Sequence, residues 1–236
     1  MSTILFIRHA QASFGTDDYD RLSDLGKKQA ARLGAYLSDI GVAFDAVFSG
    51  SMRRQTETAE IVLARLRQNV RLPELQLATD FDEYDSVEVF QSLCADLVEE
   101  DPSLSRRLPR ILKDHKAFQR IFEEMVRRWV AGRHRRPVSE SWQAFKRRVC
   151  GGVERVMDTC GQGSQVAVFT SAGALSAVMQ KALGLSDERT VEVSWAVYNS
   201  AVSTFRYNRQ RRFSLVSFNS VAHLKICRDA ELLTYR

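Results

Sequence analysis

The chain has 236 residues and a formal net charge of +5; 44% of its residues are hydrophobic and 27% are charged. That length suits one large α/β domain or two small ones, and the apolar fraction can fill a sizeable core with few Gly and Pro to favour disorder. With neither a run of eighteen apolar residues nor a basic-then-apolar leader, no membrane span and no secretory signal are expected.

Ile4-Leu5-Phe6-Ile7 opens the chain as a continuous apolar run, the pattern of a strand covered on both faces. Arg8 and His9 follow at once. In an open α/β sheet, ligands bind outside the carboxyl ends of the strands, so this pair falls where chemistry is expected. An imidazole can act as a nucleophile, and a guanidinium can grip an oxyanion with two parallel hydrogen bonds. The dipeptide alone fits a surface Arg and a capping His equally well.

Residues 13–20 read as a polar loop. Ser23 then caps a helix carrying Ala30, Leu33, Leu37 and Ile40 at helical spacing, with Gly41 as its terminator. Residues 43–48 form a second buried strand. Ser49-Gly50-Ser51 turns it into a second helix with Arg53 and Arg54 in the first turn. Arg at a helix N-terminus opposes the dipole, which makes sense where an anion binds. A short strand at 75–78 runs into the acidic cluster Asp80-Phe81-Asp82-Glu83-Tyr84-Asp85, which could supply a general acid or balance the arginines.

From 86 to 137 the pattern is helical, with Pro102 and Pro109 marking breaks. Between 106 and 136 stand eleven Lys and Arg against three acids, a net of +8, so the rest of the chain is slightly acidic. Such a block can attract an anionic substrate, a nucleic acid or a protein, or be a solvated face. Residues 139–160 read as an amphipathic helix with Trp142, Phe145, Val149, Val153 and Val156 as core. Residues 165–170 form a strand ending in Thr170-Ser171-Ala172-Gly173, followed by a helix over 174–183 and a hairpin of 201–207 with 213–218. The four cysteines (Cys94, Cys150, Cys160 and Cys227) are scattered, without C-x-x-C spacing, which suits a reducing cytoplasm and argues against structural zinc. The element order predicts an α/β fold with a mostly parallel central sheet.

Together these stretches resemble a known family. Arg8-His9-Ala10 after the first strand is similar to the Arg-His-Gly signature of the histidine phosphatase superfamily, also called the phosphoglycerate-mutase-like family. Leu22-Ser23-Asp24-Leu25-Gly26-Lys27-Lys28-Gln29-Ala30 resembles its Leu-Thr-x-x-Gly-x-x-Gln-Ala helix start. The stretch from Ser49 to Ala59 resembles its Ser-Ser-Pro-Leu-x-Arg-Ala-x-Gln-Thr-Ala segment. Glu140-Ser141, and Asn219 with Ala222-His223-Leu224, also match. The resemblance covers the chain except the basic insertion, and its weight lies in the order and spacing of motifs that are individually weak.

The resemblance implies a three-layer α/β/α sandwich: a single domain over 1–236 with 86–137 as a helical insertion or cap. It implies His9 as the nucleophile that takes a phosphoryl group and Arg8 and Arg54 as the phosphate clamp, Arg54 keeping the spacing to Thr58-Ala59. Glu83 would be general acid, then base. No metal and no cofactor are implied, since guanidinium groups supply the positive charge. The sequence departs from the family pattern where a second histidine belongs: Ser171 stands there. Ser171 is expected to donate a hydrogen bond to phosphate without adding charge, and losing one cationic donor costs on the order of 10²–10³ in rate. His115 and His134 lie in the insertion, and His223 reads as structural.

The expected activity is hydrolysis of a phosphomonoester, on a small molecule or a phosphoprotein, through a phosphohistidine. A catalytically weakened phosphate-binding or protein-interaction module, and a phosphoglycerate-mutase-type phosphotransferase, are the alternatives. Nucleic-acid binding is the weakest reading, because no aromatic-interleaved motif accompanies the charge. No membrane partner is expected, and the sequence leaves substrate and oligomeric state open.

Overall fold

The computed structural model describes residues 1–13 and 18–235, without the side chain of His115. Of the loop read at 13–20, residues 14–17 therefore lie outside the described part. The first strand, β1 (Ser2–Arg8), lies inside a six-stranded sheet formed with β2 (Ala46–Ser49), β3 (Leu75–Leu77), β4 (Gln165–Thr170), β5 (Val202–Tyr207) and β6 (Phe213–Ser220). The spatial order is β3-β2-β4-β1-β5-β6. The first four run parallel; β5 is antiparallel to β1, and β6 to β5.

Continuous apolar runs make the central strands because both faces of the sheet are covered. Successive side chains in a strand point to opposite faces. Ile4 and Phe6 of β1 therefore join one core with Ala46, Phe48, Val166 and Val168, while Leu5 and Ile7 join the other with Val47, Ala167 and Phe169. Against the second face pack α1 (Asp24–Asp39) and α2 (Arg53–Leu66), through Leu33, Leu37, Val62 and Leu66. Against the first pack α3 (Ser86–Glu100), α5 (His115–Val130), α6 (Trp142–Thr159) and α7 (Ala172–Leu183). The result is the expected three-layer α/β/α arrangement. Phe6 shows how tightly the layers meet: it is fully buried, edge-on to Phe81 and Phe205 at 6.0 and 5.5 Å. Truncating such a residue to Ala costs about 3–5 kcal/mol.

Helix starts follow the caps read from the sequence. Ser23 accepts from the Gly26 N–H at 2.9 Å, and Ser141 from the Ala144 N–H at 3.2 Å. Gly26 is required for another reason: a Cβ there would lie 2.1 Å from the Gln11 carbonyl oxygen, where α1 passes the loop after β1.

Three readings change. Pro109 does not break the insertion but sits inside α4 (Ser103–Ile111), a short and largely exposed helix that tolerates one lost backbone bond. A further helix, α8 (Asp187–Ala196), occupies a stretch left unassigned, with only Thr190 and Val191 fully buried and hence little apolar periodicity. And the positive charge of the insertion is largely answered from within. Arg107 pairs with Asp101, Arg128 with Glu100 and Glu124, Arg135 with Glu99, and Arg136 with Asp96 and Glu99. All of those acids but Glu124 lie on or just after α3, outside the window that gave +8; over 86–137 eight acids face the eleven bases, a net of +3. Among the described residues no helix is long and apolar enough to cross a membrane.

Candidate active site

The parallel register sets the site. Arg8 pairs with Thr170 across β1 and β4, and the His9 N–H donates to the Thr170 carbonyl at 2.8 Å. The Gly50 N–H after β2 donates to the Phe169 carbonyl at 3.0 Å. The segments leaving three neighbouring strands are thus tied at one edge, and a cavity of about 400 Å³ opens above them. Arg8, His9, Arg54 and Glu83 all line it.

His9 is buried, and its Nδ1 lies 2.7 Å from the Ala10 carbonyl oxygen. A carbonyl can only accept, so Nδ1 carries the proton and Nε2 keeps its lone pair. Arg54 donates to that Nε2 from its Nε at 3.2 Å. Burial first, then the charges of Arg54 and Arg8, hold the His9 pKa well below its ordinary value, so the ring is neutral at pH 7. Arg8 donates to the Val197 carbonyl, which anchors its guanidinium beside the ring.

Neighbouring arginines on one helix turn face different ways. Arg53 lies outward and is engaged by Glu57 and Asp18, each at 2.7 Å. Arg54 is buried and reaches the cavity, where it also pairs with Asp20. Its helix is fixed beneath the site by Thr58, which donates to the Arg54 carbonyl at 2.7 Å and accepts from the Ala10 N–H at 3.0 Å.

Each other acid of the 80–85 cluster has a local duty. Asp80 pairs with Arg155; Asp82 accepts from the N–H and hydroxyl of Ser51; Asp85 caps α3 by accepting from Val87 and Glu88. Glu83 alone of the acids lines the cavity. Its carboxylate accepts from the Gly173 N–H at 2.8 Å and the Tyr84 N–H at 3.2 Å. A Cβ on Gly173 would stand 2.2 Å from that carboxylate, so glycine is what lets Glu83 approach α7. Burial raises the Glu83 pKa above the usual carboxylate value, outweighing the Gly173 hydrogen bond and the charges of Arg54 and Arg8. The loop is held by Arg148, bidentate to Glu140 at 2.8 and 2.7 Å and donating to the carbonyls of Thr79, Asp80 and Asp82.

Ser171 departs from expectation. It caps the start of α7 at the level of His9, yet it is wholly buried and does not line the cavity. Its hydroxyl accepts from the Gln55 amide at 2.8 Å, and the same amide donates to the Phe81 carbonyl at 3.0 Å. Of the first N–H groups of α7, that of Gly173 is taken by Glu83.

The other histidines lie elsewhere. His134 faces the Arg136 carbonyl at 2.9 Å. His223 is buried against the Ser200 hydroxyl at 2.9 Å, and burial lowers its pKa to about 4. Ser200 in turn donates its N–H to the His9 carbonyl at 3.2 Å. Sequence reasoning missed Asp20 as a partner of Arg54, and missed the upper wall: Phe90, Phe118, Phe122, Trp195 and Tyr235. Among the described residues, no group of three or more His, Cys, Asp or Glu gathers as a metal site.

Known proteins resemble the chain in sequence or fold to different extents. The model of the histidine phosphatase superfamily (branch 1) matches residues 4–107 and 112–221. The crystal structure of phosphoglycerate mutase from Bacillus anthracis superposes with a TM-score of 0.65 at 16% identity, covering 97% of each chain. The alpha-ribazole phosphatase of Shigella flexneri superposes with a TM-score of 0.60 at 22% identity, over 92% of this chain and 96% of that one. The mitochondrial serine/threonine-protein phosphatase Pgam5 of Drosophila grimshawi is 40% identical over 62 residues, 25% of this chain and only 22% of that protein's length. The matched span holds the residues that line the floor of the cavity, and on it the chain belongs to the histidine phosphatase superfamily, branch 1.

Proposed function

We propose that the chain hydrolyses a phosphomonoester through a phosphohistidine on His9. The observation that carries this reading is a pair of opposite shifts in one cavity: a histidine held neutral beside two arginines, and a carboxyl whose hold on its proton is strengthened. Titratable groups pushed apart in this way divide into nucleophile or base and acid.

In this mechanism Arg8 and Arg54 take the equatorial phosphoryl oxygens, where transition-state charge spreads. The His9 Nε2 lone pair forms the N–P bond as the P–O bond to the leaving group breaks, and Glu83 gives that oxygen its proton. A water then attacks phosphorus, the Glu83 carboxylate takes the water proton, and the N–P bond breaks. Inorganic phosphate leaves, and neutral His9 and protonated Glu83 return. The Ala10 carbonyl keeps Nδ1 protonated and so stabilises the cation formed on the ring during transfer. Substrate must displace Asp20 from Arg54 or share that guanidinium with it. We assign 86–137 as a cap of the same single domain, and Ser171 as a residue beneath the floor that fixes Gln55. The scattered thiols suit a reducing compartment such as the cytoplasm.

A second reading is a phosphate-binding module with little turnover, favoured by Ser171 standing where the family pattern has a cation. The two part on one experiment. Phenyl phosphate should be hydrolysed without added metal, and quenching during turnover should leave an acid-labile, alkali-stable phosphoryl label on the protein. His9→Ala should lose the label and on the order of 10⁴ or more in rate. Label or turnover surviving in His9→Ala would sink the phosphohistidine. Phosphate binding with no turnover in wild type would favour the module.

A further inference from the structure

Above Arg8, His9, Arg54 and Glu83, the character of the cavity changes. Its upper wall is made of Tyr84, Phe90, Phe118, Phe122, Trp195 and Tyr235, from the loop before α3, from α3, α5 and α8, and from the C-terminal tail. Three of these rings touch in sequence: Phe90 and Phe118 are 5.6 Å apart, and Phe118 stacks on Phe122 at 6.0 Å. Phe90, Phe118, Phe122 and Trp195 are only partly buried, so each keeps apolar face toward the cavity.

Among the described residues lining the cavity, the only cations are Arg8 and Arg54, both at the floor. Arg127 stacks on Trp195 at 5.0 Å but does not line the cavity, and it pairs with Glu123. A substrate with a second phosphate or a carboxylate would set that charge against a largely aromatic wall where the described residues offer Ser86 and Ser194 hydroxyls but no cation to pair it, which is costly.

We propose, resting on the phosphatase reading above, that the substrate is a small phosphomonoester whose alcohol or phenol part is uncharged and bulky, above all aromatic. Its phosphate sits on the floor and its apolar body fills the ring-lined chamber. A cavity of about 400 Å³ holds a leaving group of small-molecule size. The assignment also separates this chain from an enzyme that must hold a bisphosphorylated intermediate, because no Lys or Arg among the described residues of the upper wall meets a second phosphate.

Three probes test the chamber without needing turnover: methylphosphonate, benzylphosphonate and phosphonoacetate, titrated calorimetrically into the whole protein. Burying one aromatic ring should make benzylphosphonate bind roughly 10–100-fold tighter than methylphosphonate, and phosphonoacetate should gain nothing. Trp195→Ala should cut the benzyl-to-methyl ratio severalfold, and the milder Phe122→Leu should cut it less, which guards against a variant that folds poorly. A ratio within about threefold in wild type, where full ring burial predicts at least tenfold, or tightest binding by phosphonoacetate, overturns the proposal. A phosphotyrosine peptide hydrolysed with higher kcat/KM than phenyl phosphate overturns the small-molecule class. Aromatic selectivity without any hydrolysis would remove the phosphatase reading and leave the ligand class. Hydrolysis without selectivity would do the reverse.

Discussion

The floor and the upper wall of one cavity are built by different rules. Floor groups are ionisable and fixed by hydrogen bonds: His9 by the backbone of Ala10, Arg8 by that of Val197, Glu83 by those of Gly173 and Tyr84, and Arg54 by the side chains of Asp20 and His9. Wall groups are aromatic rings on helices α3, α5 and α8 and on the tail, held by stacking: Phe90, Phe118 and Phe122 on one another, Trp195 under Arg127 and Tyr235 on Tyr198. Hydrogen bonds fix direction; apolar contact fixes shape and tolerates substitution. The floor is thus suited to invariant chemistry on phosphorus, and the wall to choosing what the phosphorus is attached to. Floor variants should lower kcat whatever the leaving group, whereas wall variants should change the ranking of substrates.

The largest effect in that comparison falls on Glu83. Glu83→Gln keeps the shape and removes the proton donor, so turnover of an alkyl phosphate should fall about 10²–10⁴-fold. A nitrophenyl ester, whose leaving group needs little protonation, should lose less. The pH profile carries the sign. The raised Glu83 pKa sets the alkaline limb, since activity falls as pH rises through it and the acid is lost. The lowered His9 pKa sets the acid limb, since activity falls as pH drops through it and the lone pair is lost. Glu83→Gln should abolish the alkaline limb and keep the acid one. An unchanged profile would remove the assignment.

Arg54 and Arg53 make the next contrast, one residue apart. Arg54→Ala takes a buried guanidinium away from His9 and should cost about 10²–10³ in kcat/KM. Arg53→Ala removes exposed pairs with Asp18 and Glu57, of a kind that contributes little because solvent screens it. Turnover should then stay close to wild type. Equal losses in both variants would mean that charge at the mouth, not contact at the floor, is what matters.

Beneath the floor, His223 supports the backbone of His9 through Ser200. Its folded pKa of about 4 lies below the ordinary 6.5, so its contribution is complete above pH 6.5 and is lost as pH falls toward 4. The shift corresponds to about 3 kcal/mol. Chemical denaturation at pH 7 and pH 4 should show that loss in wild type, and a smaller one in His223→Gln. Equal losses in the two proteins would place the acid sensitivity elsewhere.

This same division decides what could be read from the sequence. Strands with cover on both faces announce themselves as apolar runs, and the residues just after them, Arg8 and His9, inherit a position. The choice of Arg54 over Arg53 followed from spacing, and the structure buries Arg54 and leaves Arg53 exposed. The wall was not legible, because its rings come from segments 90, 118, 122, 195 and 235, joined only by folding. The tail is brought back by long-range bonds, the Asn199 N–H to the Thr234 carbonyl at 2.8 Å and Gln29 to the Leu232 carbonyl at 2.9 Å. The +8 of residues 106–136 overstates the charge of the insertion, because that window leaves out the acids on and just after α3 that pair with its arginines. Counting along the chain does not see partners across a helix pair.

Ser171 gives the smallest effect and tests the boundary between floor and support. A hydroxyl that held phosphate would make Ser171→Ala a kinetic variant. The observed hydroxyl instead accepts from Gln55, whose amide keeps a second acceptor in the Phe81 carbonyl. Ser171→Ala should therefore lower stability by about 1 kcal/mol, the net worth of one hydrogen bond, and change kcat by only about twofold. Ser171→His puts a larger ring into a wholly buried position beside Gln55. Overpacking of that kind costs about 1–3 kcal/mol, so the variant should be less stable and no faster. A clear gain in turnover for Ser171→His, with stability kept, would show that the imidazole reaches the cavity. It would make Ser171 part of the floor after all, with a missing cation as the limit on rate.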